Sequence, residues 1–242
     1  MPEHLNEKES TSLQEKQVHY GVWPVWEPLF CFILAAFLSA IPALFTDTAQ
    51  SVIGVIVVSY ILQVACYFLL PVFIVTVLRS YKPSALGLIS TKWSHCLPVA
   101  IVCGLAFYLI NVALATAISA IFPQSLENPQ AILLLFDYAR NNVELVMLIV
   151  IIVFLAPASE EMLFRAYLLP PLLNNFGRWP AYIISAILFA AAHQNVWVFV
   201  PIFAGGVGFA WLYDRYHNIF YNIIAHTTWN IIALSLYSIF AV

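Results

Sequence analysis

The sequence predicts an all-α fold, a multi-pass transmembrane helical bundle of about seven spans, or eight if the fourth divides. Three observations predict it. Of 242 residues, 63% are hydrophobic and only 9% charged, with mean hydropathy +0.91. A soluble domain carries about 25% charged residues, so this chain has too few to cover a water-facing surface. The charges are also clumped: Lys8, Lys16, Glu3, Glu7, Glu9 and Glu15 crowd the start, while Asp47 is the sole formal charge between Ile33 and Leu78. Finally, the apolar runs reach the length of about 20 residues that a helix needs to cross a bilayer.

Residues 1–22 read as a polar, disordered cytosolic tail. It is long and acidic, unlike the short basic start of a cleaved signal peptide. Residues 23–242 read as one membrane domain, with spans at 26–45, 51–78, 96–122, 143–169, 179–193, 198–213 and 219–242. The fourth is long and holds Pro157, which lacks a backbone donor and predicts a kink or a division into two segments. The fifth is short. Trp23, Trp26, Trp93 and Trp179 flank spans and read as interfacial anchors. Cys31, Cys66, Cys96 and Cys103 lie in or beside apolar runs without metal-ligand spacing, and read as buried free thiols.

Lys and Arg set the expected orientation. With the amino terminus cytosolic, Lys8, Lys16, Arg79, Lys82, Lys92, Arg178 and Arg215 fall on the cytosolic side and Arg140 on the other. Nine basic residues, scattered in a chain of net charge −3, exclude a nucleic-acid footprint. The expected partners are the lipid bilayer and a membrane-associated molecule.

Ionisable groups inside a membrane are expensive, so each is a functional candidate. Glu160, Glu161 and Arg165 sit in the fourth span, Phe189 and His193 end the fifth, and His226 with Asn230 lie in the last. Glu161 and Arg165, four apart, share a face and can pair. Glu160 points about 100° away and stays free to face a cavity. His193 shares a face with Phe189, and His226 with Asn230. At 1.5 Å per residue, Glu160 and His193 lie about 20 Å from the cytosolic ends and His226 with Asn230 about 12–18 Å, so the three helices can present one site.

A carboxylate, two imidazoles and an amide suit hydrolysis. Glu160 can serve as general base, His193 can orient water or act as partner acid, and His226 with Asn230 can stabilise an oxyanion. Equally, Glu160, His193 and His226 can bind zinc with an open position for water, although HExxH is absent. The plainer readings are a structural Glu161–Arg165 pair and a purely interhelical hydrogen bond from His226 or Asn230. His4, His19, His95 and His217 read as tail or loop residues outside the site. Gly205, Gly206 and Gly208 read as packing positions.

Glu160-Glu161-x-x-x-Arg165, Phe189-x-x-x-His193 and His226-x-x-x-Asn230, in this order on apolar helices, resemble the CPBP family. That family includes the CAAX prenyl endopeptidase and many bacterial Abi or bacteriocin-associated membrane proteins. Leu86-Gly87-Leu88 and the Gly205–Gly208 cluster add to the likeness, which covers about 143–234. Ala166 departs from it, standing where glycine is common. The resemblance implies an intramembrane endopeptidase acting on a prenylated or membrane-anchored peptide. It also implies roles: Glu160 as base, His193 as its water partner, Glu161 with Arg165 in support, and His226 with Asn230 at the oxyanion. The family admits both glutamate-dependent and metal-dependent readings, so zinc stays open. Two other classes compete, a proton-coupled transporter and a non-catalytic scaffold or immunity protein. The first predicts interrupted helices in two related halves, whereas the polar residues here occupy one half.

Overall fold

In hydrocarbon every backbone N–H and C=O must be bonded within the protein, which makes a long apolar run a helix. A computed structural model describes residues 23–45, 52–127 and 138–240; among these there is no strand. In chain order the helices are α1 (Trp26–Ala40, continued by the tight turn Ile41–Phe45), α2 (Val52–Leu78), α3 (Trp93–Ile121), α4 (Asn142–Phe176), α5 (Arg178–Ala192), α6 (Val196–Tyr216) and α7 (Ile219–Phe240). Six are long and apolar enough to cross a membrane, and α5 is the short one. The chain is thus an integral, multi-pass helical membrane protein, with Phe37, Ile61, Val102 and Phe154 among many apolar side chains exposed on its outer faces. The polar tail, with His4 and His19, lies outside the described residues, as does Asp47.

Local signals set the helix ends. The Asn141 side chain caps α4 by accepting from the Glu144 N–H at 3.0 Å. Asn195 caps α6 by accepting from the Trp197 N–H at 2.9 Å. Before α7, the Asn218 side chain accepts from the Phe220 N–H at 3.0 Å. The loop after α2 docks there too: Leu86 is fully buried, Gly87 has φ +71°, and the Gly87 carbonyl accepts from the Ile219 N–H at 3.0 Å.

Helix α4 is the hub, packed against α1, α2, α5, α6 and α7. It runs unbroken for 35 residues, so Pro157 does not divide it. Instead the turn Ile151–Leu155 widens to a π-helix ahead of the proline, and a second π turn covers Met162–Leu168. Pro157 has no N–H for the carbonyl of Val153 in an α turn or of Ile152 in a π turn. Both acceptors are taken by α7. Thr227 Oγ1 donates to the Val153 carbonyl at 2.9 Å, and Asn230 Nδ2 donates to the Ile152 carbonyl at 2.8 Å. The proline thus becomes a clasp between the two helices that carry most of the polar residues.

Small residues bring the other helices together. A Cβ on Gly205 would lie 2.6 Å from the Trp229 ring, and one on Gly104 would lie 2.3 Å from the Ala225 carbonyl oxygen. Gly205 and Gly208 are therefore packing positions, as their sequence context implies. The cysteines are free thiols, three buried and Cys103 half-buried. Two expectations need correction. Trp23 is not a lipid anchor: it is buried, donates Nε1–H to the Tyr167 carbonyl at 2.7 Å, and packs on the Tyr167 ring, because its indole N–H finds a partner inside. His95 is not a loop residue. It lies in the first turn of α3, where its Nδ1 is 2.8 Å from the Tyr221 hydroxyl.

Candidate active site

The two adjacent glutamates of α4 have opposite fates, as the 100° step between neighbours requires. Glu161 is fully buried and Glu160 borders a cavity. The cavity, of about 330 Å³, lies among α2, α4, α5, α6 and α7. Glu160, His193, His226 and Asn230 line it together with Phe189 and Trp229. The polar residues singled out by spacing on three helices therefore share one space, with Glu161 and Arg165 directly behind it.

Glu161 is held from three directions. Arg165 Nη1 is 3.3 Å from its Oε1, His226 Nδ1 is 2.9 Å from the same oxygen, and Asn222 Nδ2 donates to Oε2 at 3.1 Å. A buried carboxylate survives only when paired and hydrogen-bonded, and this one is both. Arg165 is equally enclosed. Its guanidinium lies 4.2 Å from the centre of the Phe189 ring and 5.3 Å from that of Phe209, and Nη2 donates to the Gly206 carbonyl at 3.3 Å. Aromatic faces stabilise a desolvated cation. Phe189 thus serves two neighbours, since its ring also meets His193 at 5.0 Å in an edge-on contact.

The imidazoles are oriented by their other nitrogens. His193 Nδ1 is 2.9 Å from the Phe189 carbonyl, an acceptor, so Nδ1 carries the proton and the neutral ring keeps a lone pair on Nε2. His226 stacks on Phe209 at 5.0 Å and stands between the glutamates: Nδ1 against Glu161, Nε2 3.9 Å from Glu160 Oε2. Asn230 commits one amide N–H to the Ile152 carbonyl while its side chain borders the cavity.

Glu160, His193 and His226 are the residues that a metal would need. Among the described residues, however, no group of three or more His, Cys, Asp or Glu side chains is placed to hold a metal ion. His226 Nδ1 is engaged by Glu161 and His193 Nδ1 by the Phe189 carbonyl, which leaves Nε2 of each ring unclaimed by those partners.

Two groups escaped the sequence reading. Asn222 lies one turn before His226 on the same face, so the four-residue spacing Asn222–His226–Asn230 was available as a signal. Tyr60, Gln63 and Tyr67 of α2 also line the cavity. Gln63 had a signal too, being an amide in a strongly apolar span.

Comparison with known proteins follows the same part of the chain. Residues 142–232 match the family described as type II CAAX prenyl endopeptidase Rce1-like. The UPF0177 protein YxdF of Lactococcus lactis subsp. lactis (strain IL1403) is 31% identical over 78 residues, which are 32% of this chain and 42% of that protein. The chain thus spans less than half the length of that curated relative. No solved structure matches it. The match covers the segment that builds the cavity's polar wall.

Proposed function

We propose that the protein is an intramembrane endopeptidase that hydrolyses a peptide bond of a prenylated, CAAX-type or otherwise membrane-anchored substrate, with Glu160 as general base. One observation carries this reading: Glu160 borders the cavity with two imidazoles, while its neighbour Glu161 consumes the arginine. A carboxylate without an arginine or lysine partner beside a cavity in a membrane protein is an expensive feature without a reaction to serve.

In this reading water binds between the Glu160 carboxylate and His193 Nε2. Glu160 takes a proton as the water oxygen attacks the substrate carbonyl carbon. Negative charge then develops on the carbonyl oxygen. The second N–H of Asn230 donates to it, and the His226 imidazole stands beside it. Collapse breaks the C–N bond, and the proton held by Glu160 passes to the departing amine. Glu161, Arg165 and Asn222 hold His226 in register. No step needs a metal. With the orientation expected from lysine and arginine, the depths of the site residues lead us to expect cleavage near the cytosolic leaflet.

The test is peptidase activity of the purified full chain against prenylated and membrane-anchored peptides, beside Glu160→Gln, with and without a chelator. Cleavage that is lost in Glu160→Gln and survives chelation is expected. Cleavage by Glu160→Gln at the wild-type rate sinks the assignment of the base, and loss with the chelator restores a metal. A transporter would instead move protons across vesicles without cutting any peptide.

A further inference from the structure

The cavity has two walls of different origin. Glu160, His193, His226 and Asn230 all lie within residues 142–232, the segment matched to the family. The facing wall comes from α2, which packs beside the Glu160 turn of α4 and contributes Tyr60, Gln63 and Tyr67. These three recur at i, i+3 and i+7, the spacing of one helix face. That face is polar in a span whose mean hydropathy is 2.4.

Gln63 is the informative member. It is half-buried, it borders the cavity, and its carboxamide has no hydrogen-bond partner among the described residues. Other amides near the site are bonded: Asn222 to Glu161 and the Phe209 carbonyl, Asn230 to the Ile152 carbonyl. An unpartnered amide in an apolar span is costly, and leucine at this position would lack that cost. A carboxamide also has a distinctive chemistry, since it donates and accepts in one plane. Its natural complement is another amide, such as the backbone of an extended peptide.

We propose that Gln63 is a substrate-binding residue whose carboxamide pairs with a backbone amide of the peptide held across the cavity from Glu160, with Tyr60 bordering the same subsite. This rests on the endopeptidase reading. It makes α2, outside the family-matched segment, the wall that positions the peptide, while α4–α7 supply the chemistry.

The test uses the full chain in detergent and a fluorescent farnesylated CAAX-type peptide. A companion series replaces one non-scissile backbone amide at a time by an ester, which removes the N–H donor and weakens the carbonyl acceptor. Gln63→Leu is expected to raise KM about tenfold with kcat within about threefold, the signature of lost uniform binding. On one ester peptide the wild type is expected to fall to the Gln63→Leu level, and the variant to lose nothing further. A Gln63→Leu enzyme that matches wild type on every peptide overturns the proposal. So does an equal added loss on every ester, which marks a merely structural role. Unchanged thermal unfolding of Gln63→Leu is expected, and a lowered midpoint with the same KM also counts against it. Glu160→Gln separates the two layers. If it is inactive while Gln63→Leu equals wild type, only this inference falls. If it cleaves like wild type, only the assignment of Glu160 as base falls; if wild type neither binds nor cleaves any prenylated or membrane-anchored peptide, the endopeptidase reading falls and takes the inference with it.

Discussion

Asn230 Nδ2 donates at 2.8 Å to the carbonyl of Ile152, the acceptor that residue 157 would serve in a π turn if it were not proline. Thr227 donates at 2.9 Å to the carbonyl of Val153, the acceptor it would serve in an α turn. A helix defect in α4 is therefore repaired by side chains of α7, and the repair holds together the two helices that carry Glu160 and His226.

Removing Thr227 from this clasp tests its energetics. Thr227→Val keeps the shape and loses the donor, and it should destabilise the protein by about 1 kcal/mol, typical for one interhelical hydrogen bond in a membrane protein. The measurement is the unfolding midpoint in detergent. Thr227→Val combined with Pro157→Ala should lose less than Thr227→Val alone, because alanine restores a backbone donor to α4.

The Glu161–Arg165 pair should behave as a coupled unit. Either Glu161→Leu or Arg165→Met alone strands a buried charge and should cost about 3–5 kcal/mol. The double variant, with no charge left to strand, should cost less than the larger single effect. Thermal melts of all four proteins close the cycle, and additive losses would contradict the pairing.

Asn222 predicts a loss of activity without loss of substrate binding. Asn222→Leu removes the donor to Glu161 Oε2, a hydrogen bond to a charged group worth about 1.5–3 kcal/mol. Because Glu161 in turn holds His226, kcat should fall roughly 10- to 100-fold at nearly constant KM, as for an interaction felt mainly in the transition state. A change confined to KM would place Asn222 outside this chain of contacts.

Glycines supply an internal control. Gly104→Ala would set a methyl 2.3 Å from the Ala225 carbonyl oxygen, a backbone atom with little room to retreat. It should cost about 1–3 kcal/mol, the usual range for overpacking. Gly54→Ala meets nothing within 4 Å and should be neutral or slightly stabilising, since alanine favours a helix by about 1 kcal/mol over glycine. Unfolding midpoints of the two variants should separate in that order.

Much of this architecture was legible in the residues. Apolar runs of spanning length require helices, and the observed ends fall close to the expected ones, as at α2 and α7. The i, i+4 rule paired Glu161 with Arg165 and turned Glu160 away from them, because that outcome needs only the pitch of a single helix. Asn222 and Gln63 were missed although each carried a signal, Asn222 in its four-residue spacing from His226 and Gln63 as an amide in an apolar span, because neither signal says which cavity the amide will meet. Trp23 was misread for a similar reason: a tryptophan beside a span looks the same whether its N–H meets a headgroup or the Tyr167 carbonyl.

The sequence by itself determined an integral membrane helical bundle and the face of each helix on which the ionisable residues stand. Those are consequences of composition and of a fixed turn angle, properties internal to each segment. Tertiary structure alone decided that α4, α5 and α7 bring those faces to one cavity, that α2 closes it with Gln63, and that α7 satisfies the carbonyls left by Pro157. The reason is physical: such contacts join residues far apart in the chain, as the 78-residue separation of Asn230 and Ile152 illustrates. No local periodicity encodes which of several apolar faces will pack together, and packing is what turns four polar side chains into a site.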